Sequence, residues 1–220
     1  MKKINYGRQT INDDDIDAVI KVLKSELLTQ GPQVDKFEKE FSKKFNTKYV
    51  CAVSSGTAAL HLAGLALGWK KNDIILTTPL TFVASINAIL YCNATPDLID
   101  INMDTFCIDT TSLEKKIKKY LTRGKKIKAV IAVDYAGHPC DWTVLSKLKK
   151  KYKFQLINDN CHAIGASYHK NIGYASKFAD IVTHSYHPVK NITTAEGGAV
   201  LTKNKSIYEK VKLLRSHAIN

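Results

Sequence analysis

His184-Ser185-Tyr186-His187-Pro188-Val189-Lys190 is followed by Asn191-Ile192-Thr193-Thr194-Ala195-Glu196-Gly197-Gly198, and the two segments lie between short apolar runs, Asp180-Ile181-Val182-Thr183 and Ala199-Val200-Leu201. The runs read as strands and the residues between them as a loop. One lysine stands in that loop among hydroxyls and small residues. Holding a lysine between buried strands is costly, because desolvation disfavours the ammonium and pushes its pKa down. The free amine that results can condense with a carbonyl. The ordinary alternative is a side chain whose stem follows the surface while its head stays in water. What else the chain brings to the same place decides between them.

Working outward, strand and helix signals alternate. Asn12 ahead of Asp13, Asp14 and Asp15 reads as a helix cap with acids at the positive end, and Ile16, Val19, Ile20, Leu23 and Leu27 share one apolar face. Gly31-Pro32 breaks that helix, and Val34, Phe37, Phe41 and Phe45 form a second stripe. Lys48–Val53 reads as a strand running into Ser54-Ser55-Gly56-Thr57, a small-residue turn that opens an Ala/Leu helix. Such a turn points unpaired N–H groups outward at a positive helix end and suits a phosphate, although Ser-Gly-Thr is also an ordinary cap. Further strands are expected at Ile74–Pro79, Pro96–Ile101, Ile127–Val133 and Phe154–Ile157. Between them, one helix opens at Thr81-Phe82-Val83-Ala84-Ser85, one starts from a capping box at Thr111-Ser112-Leu113-Glu114, and one carries Leu145, Leu148 and Tyr152. The alternation predicts an α/β fold with a mostly parallel central sheet and helices on both faces. Ligands on such sheets bind at the carboxyl ends of strands, where Ser55-Gly56-Thr57, Asp159 and the Lys190 loop all fall.

Composition removes several classes. The 220 residues are 45% hydrophobic and 24% charged, as in soluble globular domains, and no apolar run approaches the roughly 18 residues of a membrane span. Met1–Gly7 is basic but has no apolar core of a signal peptide, so a cytoplasmic location is expected. Cys51, Cys92, Cys107, Cys140 and Cys161 are odd in number and never spaced as C-x-x-C, which argues against a disulfide framework or a zinc site. The net charge of +13 comes almost wholly from lysine, with arginine only at Arg8, Arg123 and Arg215. Lys115, Lys116, Lys118, Lys119, Lys147, Lys149, Lys150 and Lys151 lie on expected solvated helix faces, so nucleic acid is not an expected partner.

A strand-end aspartate, a Gly-Thr helix start, an aromatic at a helix start and a loop lysine together suit pyridoxal 5′-phosphate (PLP). The lysine would hold it as a Schiff base, the aspartate would keep its ring nitrogen protonated, and the helix start would take its phosphate. The joint pattern, above all Ser185-Tyr186-His187-Pro188-Val189-Lys190 with Thr193-Thr194-Ala195-Glu196-Gly197-Gly198, resembles the DegT/DnrJ/EryC1/StrS sugar aminotransferases. That resemblance runs from Gly31-Pro32 to Arg215-Ser216-His217 and implies the large domain of the PLP-dependent transferase fold type I, the aspartate aminotransferase-like fold. It implies that Lys190 is the covalent lysine and proton shuttle, that Asp159 partners the ring nitrogen, and that His162 lies near the phenolic oxygen. It likewise places Gly56, Thr57 and Ser185 on the phosphate and Phe82 against the ring.

Tyr6-Gly7-Arg8-Gln9, Leu28-Thr29-Gln30-Gly31-Pro32 and Ala195-Glu196-Gly197-Gly198 look most like the pseudaminic-acid branch of that family. The branch implies amino transfer from glutamate to C4 of a UDP-linked 4-keto-6-deoxy sugar by a homodimer, with small-molecule substrates and no nucleic acid or membrane. Two departures stand out. Asn158 occupies a position that is usually acidic in the family, and the sequence stops at Asn220 after a helix with Ile207, Val211 and Leu214. The expected organisation of residues 1–220 is therefore N-terminal helices plus the large PLP-binding domain, without the family's small C-terminal domain. Competing readings are a truncated fragment that binds PLP or dimerises without turnover, and a PLP-dependent sugar dehydratase, which would carry histidine in place of Lys190. A metal hydrolase using His162, His184 and His187 lacks the usual zinc spacing.

Overall fold

The computed structural model describes residues 7–219; Asn220 and Met1–Tyr6, including the first residue of the Tyr6-Gly7-Arg8-Gln9 stretch, lie outside the described residues. The apolar runs form β1 (Tyr49–Val53), β2 (Ile74–Thr77), β3 (Thr95–Leu98), β4 (Ala129–Val133), β5 (Gln155–Asp159), β6 (Ile181–Ser185) and β7 (Gly198–Thr202). They make one sheet in the order β1-β7-β6-β5-β4-β2-β3. Every pair from β6 through β3 is parallel, whereas β7 is antiparallel to both β6 and β1. All strands but β7 thus share one direction, and their carboxyl ends share one edge.

The helices are α1 (Asp13–Leu23), α2 (Pro32–Lys44), α3 (Gly56–Ala66), α4 (Ala84–Tyr91), α5 (Thr110–Leu121), α6 (Trp142–Tyr152), α7 (Tyr174–Phe178) and α8 (Lys205–Arg215). Period-two alternation divides the strand side chains between the two faces. Leu76, Val130, Ala132 and Leu156 pack with Leu113, Ile117, Trp142 and Leu145 of α5 and α6. Their neighbours Ile75, Ala129, Ile131 and Ile157 pack with Leu60, Ala88 and Ile89 of α3 and α4. Because both faces are covered, β4 is buried at every residue, as a central parallel strand must be.

Several local expectations change. α5 is capped by Asp109, which accepts from the Ser112 N–H at 2.6 Å; Thr111 is already inside the helix. Glu114 accepts instead from Lys151 and from the Tyr152 hydroxyl at 2.6 Å, tying α5 to α6. β3 begins at Thr95 and ends at Leu98, earlier than the Pro96–Ile101 run suggests, and α4 starts at Ala84 rather than Thr81. The short α7 carries no periodic signal in the sequence. α1 has the expected Asn12 cap, which Asp15 completes into a capping box, yet its apolar face is uncovered among the described residues, with Val19 58% and Leu23 64% exposed. Of the lysines expected on solvated faces, Lys116 and Lys149 are instead half-buried and paired with Asp97 and Asp180.

β1 is an edge strand, and a buried ion pair closes part of that edge. The Ala52 N–H donates to Glu38 Oε1 at 2.8 Å, while Arg215 donates to Glu38 Oε1 at 2.6 Å and to the Ala52 carbonyl at 3.2 Å. Side chains from α2 and α8 thereby stand in for a further strand and block edge-to-edge association. Removing Arg215 leaves the largely buried Glu38 carboxylate without its counter-charge, held by the Ala52 N–H alone among the described residues. Arg215→Ala is therefore expected to cost about 3 kcal/mol in urea unfolding and to increase aggregation; a loss under ~0.5 kcal/mol would contradict this role for the pair.

His184 precedes the Lys190 loop and points away from it, into Phe41, Phe45 and Tyr186, with its Nδ1 unpartnered among the described residues. Burial pushes its pKa down to about 3 from 6.5. Above pH 6.5 both folded and unfolded chains hold the imidazole neutral; below it only the unfolded chain takes up the proton, so stability falls as pH drops toward 3. At pH 5 this opposes folding by about 2 kcal/mol. In urea titrations at pH 7 and pH 5, His184→Phe should lose about 2 kcal/mol less between the two conditions than the parent. Equal losses would show that the imidazole does not titrate in this way.

Candidate functional site

Because most strands run the same way, the segments leaving β1, β2, β4, β5 and β6 form one rim, and a cleft of about 630 Å³ opens there. That volume suits a small-molecule ligand. All seven residues singled out from the sequence, Gly56, Thr57, Phe82, Asp159, His162, Ser185 and Lys190, line it.

One end of the cleft is the start of α3. Ser55 caps the helix by accepting from the Ala58 N–H at 3.1 Å, and the first intrahelical bond runs from Ala59 N to Ser55 O at 3.0 Å. The Gly56 and Thr57 N–H groups precede that bond and face along the helix axis. Ser185 comes up against them from the end of β6. A Cβ added to Gly56 would stand 2.7 Å from Ser185 Cβ and 3.2 Å from Ser185 Oγ, so glycine alone permits this approach. Two backbone N–H groups and the hydroxyls of Thr57 and Ser185 make a cradle for a phosphate-sized anion at a positive helix end.

Asp159 is the last residue of β5 and is only 5% exposed. Its Oδ2 accepts from the Ser85 hydroxyl at 2.7 Å and its Oδ1 from the Cys161 N–H at 3.3 Å. A nearly buried carboxylate with a face on the cleft is suited to a cationic N–H of a ligand. Asn158, one residue back, points to the opposite face of the sheet and donates to Asp134 Oδ2 at 2.9 Å. The departure at position 158 therefore acts on the Asp134 cluster and does not touch the Asp159 carboxylate. Asp134 is fully buried and also accepts from Cys140 N, Trp142 Nε1, Asn160 Nδ2 and the Tyr174 hydroxyl. Burial drives its carboxyl upward while these donors pull it back.

Lys190 sits in the loop between β6 and β7, closed at its base by Tyr186 N to Gly197 O at 2.8 Å and Thr194 N to Tyr186 O at 3.0 Å. The Lys190 N–H donates to His187 O at 2.9 Å, so the lysine is held at the end of a tight turn. It is half-buried rather than enclosed, which corrects the expectation of a lysine buried between strands: a loop over an open cleft leaves its head within reach of water. His162 is held below its ordinary pKa of 6.5 first by burial and then by the Lys190 charge, with Asp159 opposing. It faces the cleft as a neutral imidazole at neutral pH. Phe82, 66% exposed, stands on the wall.

Thr81, Tyr135, Cys161 and Glu196 also line the cleft and were not singled out from the sequence. Ser85 lies behind it, bonded to Thr81 as well as Asp159. Tyr135 lies just past the end of β4 as Asp159 lies at the end of β5, a signal that was available. Desolvation, with the Asp159 charge, holds the partly buried Cys161 thiol well above its ordinary range. Of the three histidines considered for a metal, His162 and His187 reach the cleft and His184 packs among aromatic rings away from it.

Known proteins resemble the chain in sequence and fold. The chain is 46% identical over 217 residues to a UDP-4-amino-4,6-dideoxy-N-acetyl-beta-L-altrosamine transaminase of Campylobacter jejuni, covering 98% of this chain and 56% of that relative. The chain thus spans about half the length of the curated relatives it matches. Its structure is similar to Helicobacter pylori PseC, an aminotransferase involved in the biosynthesis of pseudoaminic acid, with TM-score 0.88, 35% identity, and coverage of 98% of this chain and 56% of that one. It also resembles NtdA from Bacillus subtilis, solved with bound cofactor PMP, with TM-score 0.81, 32% identity, and coverage of 92% and 45%. These neighbours have the fold type I architecture expected from the sequence. With a family model matching residues 9–220, the chain belongs to the DegT/DnrJ/EryC1/StrS aminotransferase family.

Proposed function

We propose that this chain carries the cofactor site of a PLP-dependent aminotransferase that moves an amino group from glutamate to C4 of a nucleotide-linked 4-keto-6-deoxy sugar, UDP-linked as in the pseudaminic-acid branch. The observation that supports it is the convergence on one cleft of Lys190, the buried Asp159 carboxylate and the α3–Ser185 anion cradle. The residues fit the cofactor. The Gly56 and Thr57 N–H groups with the Thr57 and Ser185 hydroxyls would hold its phosphate, Asp159 its ring nitrogen, and Phe82 one ring face. Bound PLP supplies an aldehyde that joins amines and a ring that accepts electrons from the adjacent carbon.

The chain's own groups do the rest. Lys190 Nζ would be the amine that engages the aldehyde, and once freed by glutamate it would carry the proton from the glutamate α-carbon to the cofactor carbon that keeps the nitrogen. Asp159 would hold positive charge on the ring nitrogen, and its low exposure would strengthen the pairing. His162, neutral at working pH, has an imidazole N–H for the ring's phenolic oxygen. The same residues in a second half-reaction serve the keto sugar. The reading carries with it small-molecule substrates and a homodimeric, cytoplasmic protein, and a dehydratase is disfavoured by the lysine at 190.

The experiment separates binding from turnover. Purified chain mixed with PLP should develop an absorbance band near ~420 nm, characteristic of a lysine-linked cofactor, and Lys190→Ala should abolish it. Glutamate with a panel of UDP- and dTDP-keto sugars should release 2-oxoglutarate with a UDP-linked substrate, and Lys190→Ala should lower that rate about 10³-fold. A band that survives Lys190→Ala would place the covalent amine elsewhere. A band without 2-oxoglutarate release would reduce the reading to cofactor binding alone.

A further inference from the structure

Among the described residues Asp159 accepts one short side-chain hydrogen bond, and its donor lies outside the cleft. Ser85, in the first turn of α4, is fully buried and places its Oγ 2.7 Å from Asp159 Oδ2 and 2.9 Å from Thr81 Oγ1. The chemistry fixes the direction of this chain. An ionised carboxylate has no proton to give, so the single Ser85 proton must point at Asp159. Ser85 then has only lone pairs left for Thr81, and the Thr81 hydroxyl must donate to Ser85. Thr81 lines the cleft while Ser85 does not, so the chain runs from the cleft wall, behind it, and back to the carboxylate.

From this geometry we infer that Ser85 is the positioning residue of the site: its hydroxyl, oriented by Thr81, fixes the Asp159 carboxylate so that a ring N–H in the cleft meets it in one geometry. The inference rests on the PLP reading above. A carboxylate on a strand end can rotate about its own bonds, and the Cys161 N–H contact at 3.3 Å is too long to hold it alone. Ser85 supplies the short, charge-assisted bond that does. The remaining lone pairs are left for the ligand, and a charged acceptor already oriented loses less freedom when it binds. A second consequence concerns Thr81, whose only proton is committed inward. Toward the cleft it presents an acceptor and no donor.

The test compares two ligands that differ at one atom. PLP has a ring nitrogen, and its 1-deaza analogue has a C–H there and cannot use Asp159. Both are titrated by absorbance and fluorescence into the 220-residue chain and its Ser85→Ala variant, with melting temperature followed separately. Ser85→Ala should weaken PLP about tenfold, as expected for losing a hydrogen bond to a charged group, and weaken the deaza analogue less than about twofold. Thr81→Val, which keeps the Ser85–Asp159 bond, should fall between Ser85→Ala and the parent for PLP alone. Equal weakening of both ligands would make Ser85 a packing residue and overturn the inference, as would unchanged PLP affinity. Should Ser85→Ala not fold, Ser85→Cys keeps the volume with a weaker donor and carries the same comparison. A parent chain that binds neither ligand overturns the cofactor reading itself and this inference with it, an outcome distinct from tight parental binding that Ser85→Ala leaves unselective.

Discussion

The close approach of three strands at Gly198 sets the rest of the site. The register pairs Val53 with Gly198 and Gly198 with Ser185, so the lone antiparallel strand holds the carboxyl ends of β1 and β6 on either side of its first residue. A Cβ at Gly198 would lie 2.6 Å from the Ser55 carbonyl and 2.7 Å from the His184 carbonyl oxygen. Any side chain there pushes the two strand ends apart. Ser55 would move with β1, the start of α3 with Ser55, and Gly56 would leave Ser185. The anion cradle is thus a consequence of sheet packing before it is a matter of side-chain chemistry. Gly197 makes the same demand one residue earlier, where a Cβ would collide with Thr194 Oγ1 and approach the Tyr186 ring to 3.2 Å. Paired glycines at the end of the Lys190 loop let that loop close on itself.

A second constraint lies beneath the cleft. Strand alternation sends Asp159 toward Ser85 and the cleft and its neighbour Asn158 to the other face, where Asn158 and Asn160 converge on Asp134. One buried carboxylate at the end of β4 thereby gathers donors from the segments after β4 and β5 and from α7. Such a cluster is stable only if complete, since a half-satisfied buried charge is worse than an apolar core. The donors that satisfy Asp134 fix both loops at their roots, although Asn158 Oδ1 itself finds no partner among the described residues, and the cleft residues are placed from there by short spans of backbone. An acidic residue at 158 would put a second carboxylate beside Asp134, and asparagine avoids this by donating instead.

α1 differs from every other long helix. Its cap is complete and its apolar stripe regular, yet none of its described residues is buried. Capping and propensity therefore account for the local form of this helix, while the packing that usually supplies most helix stability is lacking among the described residues. The opposite holds for α3, whose apolar residues surround the whole cylinder and which is wedged between the sheet, α4 and α8.

Periodicity and punctuation sufficed for the order of strands and helices other than α7, the two-sided sheet, and the placement of Gly56, Asp159 and Lys190 at strand ends, because each depends on residues within a few positions of one another. The motif around Lys190 carried the family for the same reason: it is contiguous. Other features were closed to such a reading. Ser85 meets Asp159 across 74 residues and Arg215 meets Glu38 across 177, and no local pattern records a partner that distant. Nor can hydropathy tell an apolar face that finds a partner from one that does not, as α1 shows, or a lysine that is enclosed from one that rests half-buried over a cleft. Local chemistry wrote the elements and their ends; only the folded sheet, by fixing register and side, chose which of those ends would face each other.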